Sequence, residues 1–262
     1  MRESMRIELE LQTDNFTVIP YNHQYYLASA IYNKIHSANP AYAKRLHNYQ
    51  KFKFFTFSLL QIRKRVIRKE GIETIDGKAY LYISSPNNEF IENFVAGLLE
   101  DGKLRVGNVE FFVRKAKILP IPKKFNILKT ISPIYLKTMI ETEDGLKTYD
   151  LLPNNSKFYE NLKNNLKKKY EAFYNEKCDM NFEFEVLKFR PKRMRIKNDI
   201  YCRCSEMVFK VWGDYDLIKF GYECGFGEKN SMGFGMVVNV EDKNQKNKKL
   251  KTKILEHHHH HH

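Results

Sequence analysis

Four side chains near the N-terminus have types and spacings that could do chemistry: Tyr32, His36, His47 and Lys53. Tyr32 and His36 lie one helical turn apart, on one helix face. His47 ends the following helical stretch, and Lys53 begins the strand-like run after it. A phenol, two imidazoles and an ammonium could therefore converge where helix, loop and strand meet. Outside the C-terminal Leu255–His262 segment, read as an expression tag, the histidines are His23, His36 and His47, a short list for acid–base work. Each residue also has a plain structural reading: Tyr32 as core, the two histidines as satisfied surface groups, Lys53 as a solvated cation.

Two further segments stand out. The run Gly225-Phe226-Gly227-Glu228-Lys229-Asn230-Ser231-Met232-Gly233-Phe234-Gly235 pairs two Gly-Phe-Gly triplets around a polar spacer. Glycine at this density implies positive φ or close approach of something bulky. A dinucleotide fingerprint would need its glycines earlier and a helix afterwards, and a phosphate-binding P-loop would need Gly-Lys-Ser/Thr before a helix. Neither fits, because a strand-like run follows. A glycine-rich hairpin is the plain alternative. The second segment, Lys192 to Lys197, is the densest basic run with an ordered pattern. If extended, it sets Arg193, Arg195 and Lys197 on one face, suited to phosphate contacts through the arginine fork. Its plain reading is a solvated hairpin. Lys163, Lys167, Lys168 and Lys169 follow a helical pattern and read as a solvated face.

Other chemistries find less support. Glu141, Glu143 and Asp144 cluster beside a turn without the ligand spacing of a calcium loop. Cys178, Cys202, Cys204 and Cys224 lack zinc-site spacing and are expected to be reduced thiols in a cytosolic protein. No metal and no cofactor is expected. The formal net charge of +14 over 262 residues points to a polyanionic partner. Alternating basic and aromatic residues, as in Lys51-Phe52-Lys53-Phe54-Phe55, favour nucleic acid. No apolar run is long enough for a membrane span.

The elements that must position these groups follow from periodicity. Met5–Leu11 alternates as a half-buried strand, and residues 21–35 repeat at helical spacing with Asn22 as N-cap. Pro40 opens a short helix to about His47. Lys53–Leu60 reads as a strand, with further strands around Gln61–Ile67 and Ala79–Ile83 and a turn region with Gly71, Asp76 and Gly77 between them. Asn88–Leu99 is helical, and strands at 104–106 and 110–119 close the half. After the connector Leu119-Pro120-Ile121-Pro122-Lys123-Lys124 the plan repeats. Strands are expected at 128–137 and 146–151, a helix at 157–175, strands at 181–189 and 201–211, a helix from Asp216, and a last strand at 235–240. The organisation is α+β, with two tandem ferredoxin-like (RRM-like) βαββαβ domains. They span 5–119 and 126–240, joined by a linker at 120–125 and followed by a basic tail, 241–254, and the tag, 255–262.

With these pieces together, the chain resembles the CRISPR-associated repeat endoribonucleases of the RAMP superfamily. The segment GFGEKNSMGFG matches their C-terminal signature, and Pro20–Leu27 and Lys192–Lys197 are similar as well. The resemblance implies tandem ferredoxin-like folds and metal-independent cleavage of precursor CRISPR RNA within its repeats, leaving 2′,3′-cyclic phosphate and 5′-hydroxyl ends. For members with a Tyr-His-Lys catalytic set, the matching positions are Tyr32, His47 and Lys53. It further implies RNA contacts from Lys192, Arg193, Arg195, Lys197, Gly225, Gly227, Lys229, Gly233 and Gly235. CRISPR repeat RNA is the expected partner, and the resemblance leaves open membership of an effector complex and homodimerisation. A non-cleaving repeat-binding protein or effector subunit is the competing reading.

Overall fold

The computed structural model describes residues 5–48 and 52–240, so the basic tail and the tag lie outside the described residues. In the N-terminal half, β1 (Met5–Gln12) and β2 (Thr17–Pro20) precede α1 (His23–Ala38) and α2 (Pro40–Asn48). Strands β3 (Thr56–Phe57), β4 (Arg65–Ile67), β5 (Gly71–Thr74) and β6 (Lys78–Ser85) lead to α3 (Asn88–Asp101), β7 (Lys103–Val106) and β8 (Val109–Leu119). The C-terminal half holds β9 (Ile127–Thr130), the hairpin β10 (Lys137–Thr142) and β11 (Gly145–Asp150), and α4 (Lys157–Tyr174). It ends with β12 (Phe182–Lys197), β13 (Ile200–Gly213), α5 (Tyr215–Cys224) and β14 (Val237–Val240).

The two main sheets share one topology. The first runs β3-β6-β1-β8-β7 and the second β12-β13-β9-β14. With β7 set aside, each has the order second-third-first-fourth of a βαββαβ unit, and neighbouring strands pair antiparallel. This is the tandem ferredoxin-like fold. Alternation in β1 buries Ile7, Leu9 and Leu11 beneath α1 and α3, whose Leu27, Ile31, Phe90 and Phe94 complete the first core. A second core packs Leu162 and Leu166 of α4 and Leu217 and Phe220 of α5 against Phe182, Phe209 and Val211.

Several elements differ from the periodicity reading. The strand expected over 53–60 is confined to Thr56–Phe57, because Phe54 adopts φ 55° and turns the chain first. The expected turn around Gly71 is itself a strand, between β2 and β4 in a separate three-stranded sheet. Glycine is needed there because a Cβ would stand 2.1 Å from the Ile19 carbonyl oxygen; it marks close approach rather than a turn. The strand expected over 128–137 divides at Pro133, which has no N–H for a ladder. The strands expected at 181–189 and 201–211 extend into one long hairpin that incorporates the basic run. Asn22 precedes α1 as expected, but its side chain makes no capping hydrogen bond.

The halves are bonded through buried polar groups. Arg6 of β1 donates from Nη1 to the Val237 carbonyl at 2.6 Å and from Nη2 to that of Tyr222 at 2.7 Å, its guanidinium 3.6 Å from the Tyr222 ring centroid. Ser84 Oγ donates to the Glu223 carbonyl, and Thr56 Oγ1 to that of Phe234. A third apolar cluster of Tyr135, Met194, Cys202, Cys204 and Phe234, with Leu59 against it, fills the junction.

Candidate active site

Tyr32 sits on the later part of α1, half-buried against the first core. Asn39 then reverses the chain. Its backbone N–H donates to the Ile35 carbonyl, ending α1, while its Oδ1 accepts the Tyr42 N–H at 3.0 Å, capping α2. With Pro40 at the first helical position, this is a tight stop-and-start signal. Helix α2 buries Tyr42, Ala43 and Leu46 and leaves Lys44, Arg45 and His47 exposed. As a result the His47 ring centroid lies 5.9 Å from that of Tyr32, and the His36 centroid lies 6.4 Å from it. Sequence spacing pairs Tyr32 with His36; the helix reversal adds His47.

Lys53 belongs to a different wall of the site. Phe54 is fixed by Ser85, whose Oγ donates to its carbonyl at 2.6 Å, and by ring contact with Phe173 of α4 at 5.0 Å. Lys53 therefore faces a cavity of about 360 Å³ shared with Lys137, Lys169, Glu228 and Lys229. Burial lowers its ammonium pKa below the ordinary lysine value. The structure thus joins Tyr32 with His47, and Lys53 with Lys229.

The glycine loop connects these walls. Gly225, Gly227, Gly233 and Gly235 all have positive φ, from 77° to 93°, and all are buried. Their packing is inward. A Cβ on Gly235 would lie 2.0 Å from the Phe226 carbonyl oxygen, and one on Gly233 would meet the Phe57 ring and Gln24 of α1. The N–H groups of Gly225, Gly233 and Gly235 donate to the carbonyls of Gly221, Asn230 and Pro133. Phe226 and Phe234 are fully buried, so they are core rather than base-stacking platforms. The accessible part of the loop is Glu228–Met232, including the short 3₁₀ turn Asn230–Met232, which packs on α1 and β3.

Lys169 is the residue of the loop region that sequence patterning misplaces. It lies not on a solvated helix face but fully buried, donating to the carbonyls of Gly225 and Gly227 at 2.7 Å each and to Asn230 Oδ1 at 2.9 Å. Burial lowers its pKa to about 8. Its neighbours Lys163 and Lys167 do reach the surface, bonding Glu183 and Asn181. The missed signal is the apolar stripe Phe158-Leu162-Leu166, on whose side of α4 Lys169 falls three residues after Leu166.

The basic run divides between two surfaces. Arg193 stacks on Tyr201 at 3.8 Å, and Arg195 on Tyr25 of α1 at 4.5 Å. A register shift between Arg195 and Lys197 interrupts the expected alternation. Lys192 points the other way, pairs with Glu206 at 3.1 Å, and lines an inter-half groove of about 470 Å³ with Arg65, Lys129 and Arg190. His23, in the same groove, donates from Nδ1 to the Pro20 carbonyl and accepts the Leu60 N–H at Nε2. Burial lowers its pKa to about 4.

No group of three or more His, Cys, Asp or Glu side chains that could hold a metal ion occurs among the described residues. All four cysteines are buried free thiols, and no described helix is long and apolar enough to cross a membrane.

Comparison with known proteins decides the family. Residues 18–117 match the N-terminal family profile of the CRISPR-associated protein Cas6, and residues 115–239 match its C-terminal profile. The chain belongs to the Cas6 family. It is 43% identical over 223 residues to the CRISPR-associated endoribonuclease Cas6 of Pyrococcus furiosus, spanning 84% of this chain and 83% of that one. A solved structure described as a Cas6-related gene product from Pyrococcus furiosus matches with TM-score 0.84 and 36% identity, covering 92% of this chain and 100% of that one. A RAMP protein described as binding different RNA substrates matches with TM-score 0.83 and 34% identity, covering 90% and 100%. Within the Cas6 frame, the Tyr32–His47 pair and the Lys53 cavity are the places where the described residues offer proton-transfer groups and a desolvated cation.

Proposed function

We propose that this Cas6 family member is an endoribonuclease that cleaves precursor CRISPR RNA within its repeats, using the RNA's own 2′-OH as nucleophile. The observation that carries this reading is the exposed His47 imidazole against Tyr32, 5.9 Å between ring centroids. In the reaction the 2′-oxygen forms a bond to the adjacent phosphorus as its proton leaves. The bond from phosphorus to the 5′-oxygen breaks as that oxygen gains a proton. The products are a 2′,3′-cyclic phosphate and a 5′-hydroxyl. This chemistry asks for a base, an acid and a cation, and needs no metal. His47 serves as the acid for the leaving oxygen, a proton-transfer role that an exposed imidazole can fill. Tyr32 orients the 2′-OH or acts as its base. Lys53 neutralises the negative charge that builds on the non-bridging phosphoryl oxygens.

RNA is held by the outward arginines Arg193 and Arg195, by Lys197, and by Lys192 with its basic neighbours in the inter-half groove. Lys229 supplies the exposed cation of the glycine loop. The buried glycines act through that loop's shape: the carbonyls of Gly225, Gly227 and Gly235 and the N–H groups of Gly225, Gly233 and Gly235 are already bonded within the protein.

Replacing His47 by Ala tests the assignment. The expected result is a cleavage rate lower by about 10²–10⁴-fold with RNA binding nearly unchanged. A large loss of binding would remove His47 from the acid role. A wild-type protein that binds cognate repeats tightly without cutting them would favour the non-cleaving repeat-binding protein or effector-complex subunit.

A further inference from the structure

We propose that the cavity between the two halves seats a single RNA phosphate, the reacting one, and that Lys137 and Lys229 grip it together with Lys53. This rests on the endoribonuclease reading above and extends it to two residues of the C-terminal half. The cavity is about 360 Å³ in volume, and its cationic walls come from three separate elements. Lys53 arrives on the turn before β3, Lys137 is the first residue of β10, and Lys229 heads the 3₁₀ turn of the glycine loop.

Gathering like charges around a half-enclosed space is unfavourable unless an anion occupies it. A structural purpose would be served by interleaved carboxylates, and they are scarce here. The one carboxylate in the wall is that of Glu228, whose Oε2 accepts the backbone N–H of Lys137 at 3.0 Å. None of the ion pairs between described residues uses Lys53, Lys137 or Lys229. A fourth ammonium, Lys169, stands behind the loop and is bonded only to neutral oxygens, so its charge adds to the field. Lys229 is held at φ 57°, a conformation disfavoured for a side-chain-bearing residue, and the Met232 N–H donates to its carbonyl. Phe52, 6.0 Å from Phe54 between ring centroids, gives an aromatic face beside the cations where an adjoining base can stack.

The charge change of the reaction fits such a site. Attack by the 2′-oxygen takes the phosphate from one negative charge toward two, so converging ammoniums stabilise the transition state more than the ground state. Lys53 carries a partly desolvated ammonium already, and the lower local dielectric of the half-enclosed cavity strengthens its attraction for an anion.

The test uses Lys137→Ala and Lys229→Ala, with Lys137→Arg and Lys229→Arg as charge-preserving controls. Cleavage of a labelled transcript of the source genome's CRISPR repeat is measured under single-turnover conditions. In parallel, binding of the same RNA with one 2′-deoxy nucleotide at the cut site is measured across salt concentrations. Each Ala variant is expected to cleave about 10²-fold more slowly, with the Arg variants recovering most of the rate. Each Ala variant should also reduce the slope of log affinity against log salt, by no more than the ~0.7 that one phosphate contributes. Wild-type cleavage rates in both Ala variants would overturn the proposal while leaving the endoribonuclease reading intact. A wild-type protein that does not cleave would instead overturn that reading. The binding arm then decides the cavity, where an unchanged salt slope overturns it.

Discussion

At the scale of single residues, the site depends on groups whose partners fix their state. His23 is neutral because one ring nitrogen donates to Pro20 and the other accepts from Leu60. Its folded pKa, lowered to about 4 by burial, lies below the unfolded value near ~6.5. The unfolded chain therefore binds a proton first as pH falls, and stability is lost between about 6.5 and 4. Denaturant unfolding at pH 7.5 and 4.5 should show a loss of about 3 kcal/mol in the wild type that is mostly absent in His23→Gln. Equal losses in both would place the acid sensitivity elsewhere. Lys169 is the complementary case. Lys169→Met leaves the Gly225 and Gly227 carbonyls and Asn230 without their donor, and should lower stability by about 3 kcal/mol in the same assay. Cleavage should fall further than stability alone accounts for, because the loop that presents Lys229 loses its anchor. The proposed set Tyr32, His47 and Lys53 comes from family resemblance, since spacing alone offers His36 and His47 equally. The Asn39-Pro40 reversal that sets His47 against Tyr32 is local, but its angle is a packing outcome. Lys169 was misread because a lysine in a lysine-rich helix looks solvated, and only the loop carbonyls in the folded chain explain its burial.

At the scale of elements, the glycine loop is a packed structural unit with one exposed edge. Gly235→Ala would place a Cβ 2.0 Å from a backbone oxygen at φ 82°, whereas the Cβ of Gly102→Ala, at φ 65°, would meet nothing within 4 Å. The second change should cost about 1–2 kcal/mol from the left-handed backbone alone. The first should cost clearly more, and thermal melts of the two variants side by side would show it; equal losses would mean the loop yields easily. Long periodic elements were legible in sequence: β1, α1, α3 and α4 all lie close to where periodicity sets them, whereas β12 runs on well past its expected end. Short elements were not. β2 and β5 are four residues each and exist by pairing with one another, and β3 is cut to two residues by the backbone of Phe54. Such strands are fixed by partners distant in sequence, which a local pattern does not contain.

At the scale of the molecule, two copies of one sheet topology are joined rigidly enough to share a site. Arg6, fully buried across the junction and bonded to Val237 and Tyr222, holds the halves in register, as does the bond from Thr56 to the glycine loop. The site therefore draws its proton-transfer groups from the first half and part of its cationic surface from the second. With a net charge of +14, binding of a single-stranded RNA is expected to depend strongly on salt, log affinity falling by about 0.7 per log unit of salt for each phosphate engaged. The most direct test of the whole account is cleavage of a labelled repeat RNA in EDTA, beside a copy carrying a 2′-deoxy nucleotide at the mapped cut site. The account predicts that the first is cut to a 2′,3′-cyclic phosphate and the second stays intact. Cutting of the deoxy copy, or tight binding of cognate repeats with neither copy cut, would contradict it.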